Sequence, residues 1–185
     1  MREGEDVLRV ALEGRIAFYG AVHEAVCDSS LALAKLLHVR SYWKHEPEYP
    51  DQTREAEVLF KNALEGREAL LGRDHVEAVD ARREWADFLM DHNRYKEAEK
   101  EYKLILAPYS AMFGPQHSKT SEISYRIGAC LQFRRHFSKA TDFFKTAQEG
   151  FKTAYGRTSK KNPTHKSIIE DAVNLYNMSI KRSKW

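Results

Sequence analysis

The 185-residue sequence predicts an all-α chain, a right-handed superhelix of stacked antiparallel helical hairpins, and three observations carry that prediction. The first is a fixed step of 42 residues, which relates Ala56 to Ala98 to Ala140, Phe60 to Tyr102 to Phe144, and Gly72 to Gly114 to Gly156. A period in this range marks supersecondary units that bury their apolar faces only by stacking. The second is apolar spacing at three and four, as in Val79, Trp85, Phe88 and Leu89, then Tyr95, Ala98, Tyr102 and Ile105. The third is the lack of any alternating apolar run, so helices rather than strands are expected.

In chain order, helices are expected near 5–19, 23–40, 54–71, 75–92, 95–112, 117–134, 137–155 and 164–182. The first is the second helix of an incomplete unit, because Leu12-Glu13-Gly14-Arg15 matches Leu64-Glu65-Gly66-Arg67 with an offset of 52. Complete units follow at about 23–71, 75–112 and 117–155, and a terminal helix ends a single domain spanning 1–185. The ten extra residues of the first step lie around Ser41 to Gln52, where Pro47 and Pro50 rule out a continuous helix and three aromatics suggest either a fold-back or a binding loop. Gly72, Gly114 and Gly156 are expected to end helices in the left-handed conformation, and His23, His75, His117 and His165 share the junction slot that follows. The pairs Asn93-Arg94 and Arg135-His136 leave room only for tight turns between antiparallel neighbours.

Superposed first helices present a large slot, Leu33, Trp85, Ile127 and Leu175, followed by a small one, Ala34, Ala86, Gly128 and then Tyr176. Tyr176 therefore marks a terminal unit that packs differently. Second helices share another slot, Gly14, Gly66, Pro108 and Gly150, filled by the two poorest helix formers. A close helix crossing or a bend is expected there, with Pro108 bending its helix by removing the hydrogen bond to Leu104.

Composition narrows the function. Residues 134–185 hold 12 Lys/Arg against 4 Asp/Glu, so a net-positive pole closes a chain whose remainder is net negative. Cys27 and Cys130 form no CxxC and read as buried thiols in a reducing compartment. No apolar run approaches a membrane span, and the first residues carry no apolar leader, so a cytoplasmic location is expected. No phosphate loop, dinucleotide fingerprint or nucleophile elbow is present, and His23-Glu24-x2-Cys27 lacks a third ligand. The four junction histidines lie too far apart along the array to share an ion. The expectation is no enzyme, no metal, no cofactor and no small-molecule substrate.

The unit His75-x9-Trp85-Ala86-x2-Leu89-x5-Tyr95-x2-Ala98-x3-Tyr102 resembles the 42-residue tetratricopeptide repeat of kinesin light chains and of fungal NB-ARC/NACHT-associated arrays, over nearly the whole chain. The resemblance implies a tetratricopeptide-like α-solenoid that binds a peptide or protein segment along its inner wall. The first helix of each unit lines that wall, so Lys35, Arg83, Asp87, Tyr125, Arg126, Asn174 and Asn177 are the candidate peptide-binding residues. Arg83 and Tyr125 stand where kinesin light chains favour asparagine, and Leu31 and Glu84 do not fit the carboxylate clamp of chaperone-binding repeats. Cationic and aromatic contacts with backbone-binding asparagines suit an acidic ligand. Two other readings are self-assembly through helix 5–19 as a homo-oligomer, and, less favoured, nucleic-acid binding around Arg134, Arg135 and the 157–166 junction.

Overall fold

The computed structural model describes residues 2–43, 49–156 and 163–183. They form eight helices, α1 (Arg2–Tyr19), α2 (Glu24–Trp43), α3 (Tyr49–Leu71), α4 (Val76–Asp91), α5 (Tyr95–Phe113), α6 (Ser118–Phe133), α7 (Phe137–Tyr155) and α8 (Pro163–Ser183). No strand occurs among the described residues. The expected helices are all present. Three of them reach clearly further than periodicity suggested: α1 begins at Arg2, α2 runs to Trp43, and α3 begins at Tyr49 with Pro50 in its first turn. Proline is tolerated there because a first-turn N–H has no helical partner to lose. The remainder of the insertion, 44–48, lies outside the described residues, as does its expected role as a fold-back or binding loop.

The junctions follow from local chemistry. Gly72 (φ 88°) and Gly114 (φ 95°) adopt the left-handed conformation and donate to Glu68 and Ser110 carbonyls at 3.0 Å. Gly156 departs from expectation, with φ −54° and a right-handed backbone. Residues 156–162 replace the shorter 114–117, so the chain is not forced to reverse at that glycine. His23 and His117 accept through Nδ1 from the backbone N–H of Ala25 and Lys119, at 3.1 and 3.2 Å, an N-cap role that satisfies an otherwise orphaned donor. His75 makes the longer equivalent with Glu77, at 3.4 Å. His165 stands inside α8, which already starts at Pro163, the residue whose fixed φ favours a first helical position. The tight turns use Asn93 (φ 60°) and Arg135 (φ 64°), and the N–H groups of Arg94 and His136 reach back to Leu89 and Leu131 carbonyls at 2.9 and 2.8 Å.

Two compact units emerge, Met1–Phe88 and Leu89–Trp185. In the first, Leu33, Leu37, Phe60, Val79 and Phe88 are fully buried, and the Phe60 and Phe88 rings lie 5.2 Å apart. Each such side chain contributes about 1.5–3 kcal/mol through burial. Helix α1 joins this unit through Leu12, which is buried, and through charge: Glu5 pairs with Arg40 on α2 and with Arg9, and Arg9 pairs with Glu55 on α3. In the second unit Tyr102, Ile105, Tyr109, Ile123, Ile127 and Phe144 are buried. Helix α8 is pinned to α7 by Ser179, whose buried hydroxyl donates to the Phe137 carbonyl at 2.8 Å.

Within hairpins the small slots act as close crossings. A Cβ at Gly66 on α3 would overlap Cys27 Sγ on α2, and one at Gly150 on α7 would overlap Ser121 Oγ on α6. One at Gly128 would press on the Phe144 ring at 2.8 Å. Gly14, the same slot on α1, is different: nothing lies within 4 Å of its would-be Cβ. Helix α5 stays one helix across Pro108. The carbonyl of Leu104 loses its helical donor to that proline, on a face where the Leu104 side chain is exposed.

Candidate functional site

The predicted peptide-binding residues fall into two groups, one in each unit. In the first unit, helical spacing brings Arg83 over Asp87, at 2.8 Å, and beside Glu84, at 2.7 Å. Lys35 on α2 reaches the same Glu84 at 2.9 Å. Lys35, Glu84, Arg83 and Asp87 thus form a row of alternating charges that satisfies itself. Lys35 and Arg83, expected among the peptide-binding residues, thus each hold a carboxylate of this row. Leu31, two residues before Leu33, is buried, as is Ala129, two residues after Ile127 in the second unit.

In the second unit, Tyr125 and Arg126 line an open cleft of about 410 Å³ between α6 and α8, with residues of α7 as its floor. The cleft is also lined by Phe151, Tyr155, Ile168 and Asp171. The Tyr125 ring lies 5.8 Å from Phe144 and 6.5 Å from Phe151, and Phe151 stacks on Tyr155 at 6.1 Å. Burial, reinforced by the negative charge of Asp171, raises the pKa of the Tyr125 phenol, so it remains a neutral hydrogen-bonding group. Lys119 and Arg126 supply cations at the rim and Glu122 and Asp171 supply carboxylates. Arg126 contacts Glu122 loosely at 3.4 Å, and Lys119 Nζ lies over the Phe113 ring at 4.6 Å.

Asn174 and Asn177 are exposed on α8 and do not line the cleft, but continue along the helix from Asp171 at three-residue steps. Sequence reasoning missed the floor. Phe151 and Tyr155 lie on a second helix, where the repeat elsewhere places core and helix-end residues, and Ile168 belongs to the turn of α8 that follows the long junction. The available signal was an aromatic pair at i and i+4 in the last turns of α7. Among the described residues no group of three His, Cys, Asp or Glu could hold a metal ion, and no helix is long and apolar enough to cross a membrane.

Hairpins with recurring slots, glycine-closed junctions and histidine caps define both units as tetratricopeptide-like. Solved structures agree. BtubC (BKLC) from P. vanneervenii matches with a TM-score of 0.63 at 11% identity, covering 99% of this chain and 84% of that one. A putative kinesin light chain of Podosopora anserina with nearly identical TPR-like repeats matches with a TM-score of 0.66 at 12% identity, covering 94% and 86%. A point variant of that protein gives 0.66 at 12%, covering 97% and 88%. No family model and no curated protein matches the sequence. The structural neighbours are thus TPR-like repeat proteins of the kinesin-light-chain kind, and at this identity the likeness establishes the fold.

Proposed function

We propose that the chain is a non-enzymatic protein-interaction scaffold and that the cleft between α6, α7 and α8 receives an extended segment of another protein. The observation that carries this reading is an aromatic floor, Tyr125, Phe151 and Tyr155, left open between two helices and rimmed by Lys119 and Arg126. Concave sites that bury an apolar side chain and fix it with a few polar groups are the usual form of a recognition pocket. The ligand is an aromatic or aliphatic side chain with acidic neighbours, the carboxylates reaching Lys119 and Arg126. Asn174 and Asn177 then offer amides to the peptide backbone. The two free, buried cysteines suit a reducing, cytoplasmic setting. Nucleic acid is the weaker reading: Arg134 is held by Glu99, and Arg157, Lys160 and Lys161 lie outside the described residues.

An array of short acidic, aromatic-containing peptides provides the test. Lys119→Glu combined with Arg126→Glu should abolish capture of the bound peptides while leaving helicity unchanged by circular dichroism. Unchanged capture would remove the site from this cleft, and binding that collapses with salt while preferring polynucleotide would favour nucleic acid.

A further inference from the structure

The charged groups that line the α6–α8 cleft are not equally engaged. Arg126 and Glu122 face each other at 3.4 Å, and Lys119 Nζ lies over the Phe113 and Tyr109 rings at 4.6 and 5.8 Å. Asp171, on the opposite wall, takes part in no hydrogen bond or ion pair among the described residues. Lys166, earlier on α8, reaches Glu170 at 3.6 Å instead. The Asp171 charge nevertheless acts inside the cleft, because after burial it is the next cause that raises the pKa of the half-buried Tyr125 phenol.

The repeat makes a carboxylate at this position unexpected. Four residues before the large slot, the other first helices carry Ser29, Ala81 and Ile123, all buried. Helix α8 carries an exposed aspartate there. A slot that packs in the other first helices here turns a charge toward Tyr125 and Phe151. A carboxylate beside aromatic ring faces attracts a cation twice over, by its own charge and by the rings, and it repels an anion placed in the same spot.

We infer that the segment received by this cleft is bipolar, with acidic residues reaching Lys119 and Arg126 on the α6 side, an apolar anchor over Tyr125 and Phe151, and a lysine or arginine reaching Asp171 on the α8 side. This rests on the reading of the cleft as a peptide site and adds the charge pattern that selects the partner. Asp171 is the residue that sets this preference, since a segment acidic on both sides of its anchor meets repulsion at α8.

Fluorescence anisotropy tests it with labelled peptides that carry glutamates, a phenylalanine anchor and, beyond the anchor, a lysine, an alanine or a glutamate, each made in both chain directions. In the better direction the lysine peptide should bind about threefold more tightly than the alanine peptide, the size expected of a solvent-exposed ion pair, and the glutamate peptide should bind most weakly. Asp171→Asn should equalise the lysine and alanine peptides, and Asp171→Lys should put the glutamate peptide first. Both changes fall at an exposed position, so circular dichroism should be unaltered. A lysine preference that is absent, or that survives Asp171→Asn, overturns the inference; if Lys119→Glu with Arg126→Glu still abolishes capture, the cleft itself stands. Peptides that do not bind, or that bind regardless of that double change, overturn the cleft reading and this inference together.

Discussion

The walls formed by first helices in the two units solve the same problem in opposite ways. In the first, Lys35, Glu84, Arg83 and Asp87 neutralise one another along the surface. In the second, Tyr125 occupies the Arg83 slot, and the wall opens over Phe151 and Tyr155. Ion pairs of this exposure are worth little individually, so the first wall is closed by mutual charge satisfaction more than by strength. One difference in a repeat slot, arginine in the first unit and tyrosine in the second, accompanies the change from a row of ion pairs to an open cleft. A repeat can therefore keep its hairpins constant and vary its surface residue by residue.

The hairpins themselves should respond alike, and most strongly. Gly150→Val should lose about 2–4 kcal/mol in urea unfolding, because its branches enter the space of Ser121, and Gly66→Val should behave similarly against Cys27. Gly14→Ala, in the same slot without a neighbour, should gain up to about 1 kcal/mol from helix propensity. Equal responses at Gly14 and Gly150 would erase the distinction between covered and open faces. The walls should then divide in binding: for a peptide held in the second unit, Tyr125→Ala should weaken affinity at least about tenfold, or about 1.4 kcal/mol, measured by fluorescence anisotropy. Lys35→Ala with Arg83→Ala should leave that affinity within about twofold; a larger loss would show the first wall taking part.

A smaller effect separates the interiors. Burial works to raise the pKa of Glu99, but the hydrogen bond from Lys103 and the charges of Lys103 and Arg134 outweigh it and hold the carboxyl below its ordinary value of 4.5. A depressed folded-state pKa gives stabilisation that is present above the unfolded value and lost as pH falls through the folded one. Acidification from neutral pH to below about 4.5 should therefore erode stability in the wild type, and Glu99→Gln should flatten that portion of the profile. A profile of unchanged shape in the variant would assign the acid sensitivity to other carboxylates. Least of all, Glu84→Gln in the first wall should cost about 0.5–1 kcal/mol, consistent with a partly exposed charge row.

Periodicity made the helices legible because each buried stripe repeats every turn, and the slots of Leu33, Trp85, Ile127, Ala34 and Ala86 are indeed core. The glycine slot was legible as a close crossing at Gly66 and Gly150 for the same reason. The letters could not show which of these slots is covered, so Gly14 reads like Gly66 until the surrounding space is seen. Gly156 departs from Gly72 and Gly114 at the junction where more residues separate the two helices. The candidate site was half legible. Tyr125 and Arg126 follow from their helix, but the saturation of Arg83 depends on rotamers, and the floor from Phe151 and Tyr155 depends on how far α8 stands from α6.

Cys27 and Cys130, the only cysteines in the sequence, are both buried, and each belongs to a different unit. Cys27 faces Gly66 across its hairpin, and its desolvated thiol ionises less readily than a free one. With Cys27 only 2% exposed, a thiol-reactive reagent should modify it as the packing around it loosens. The chain thus carries a natural stopwatch in each half, and the two labelling rates, resolved by peptide mapping, time the breathing of the halves separately without an added probe.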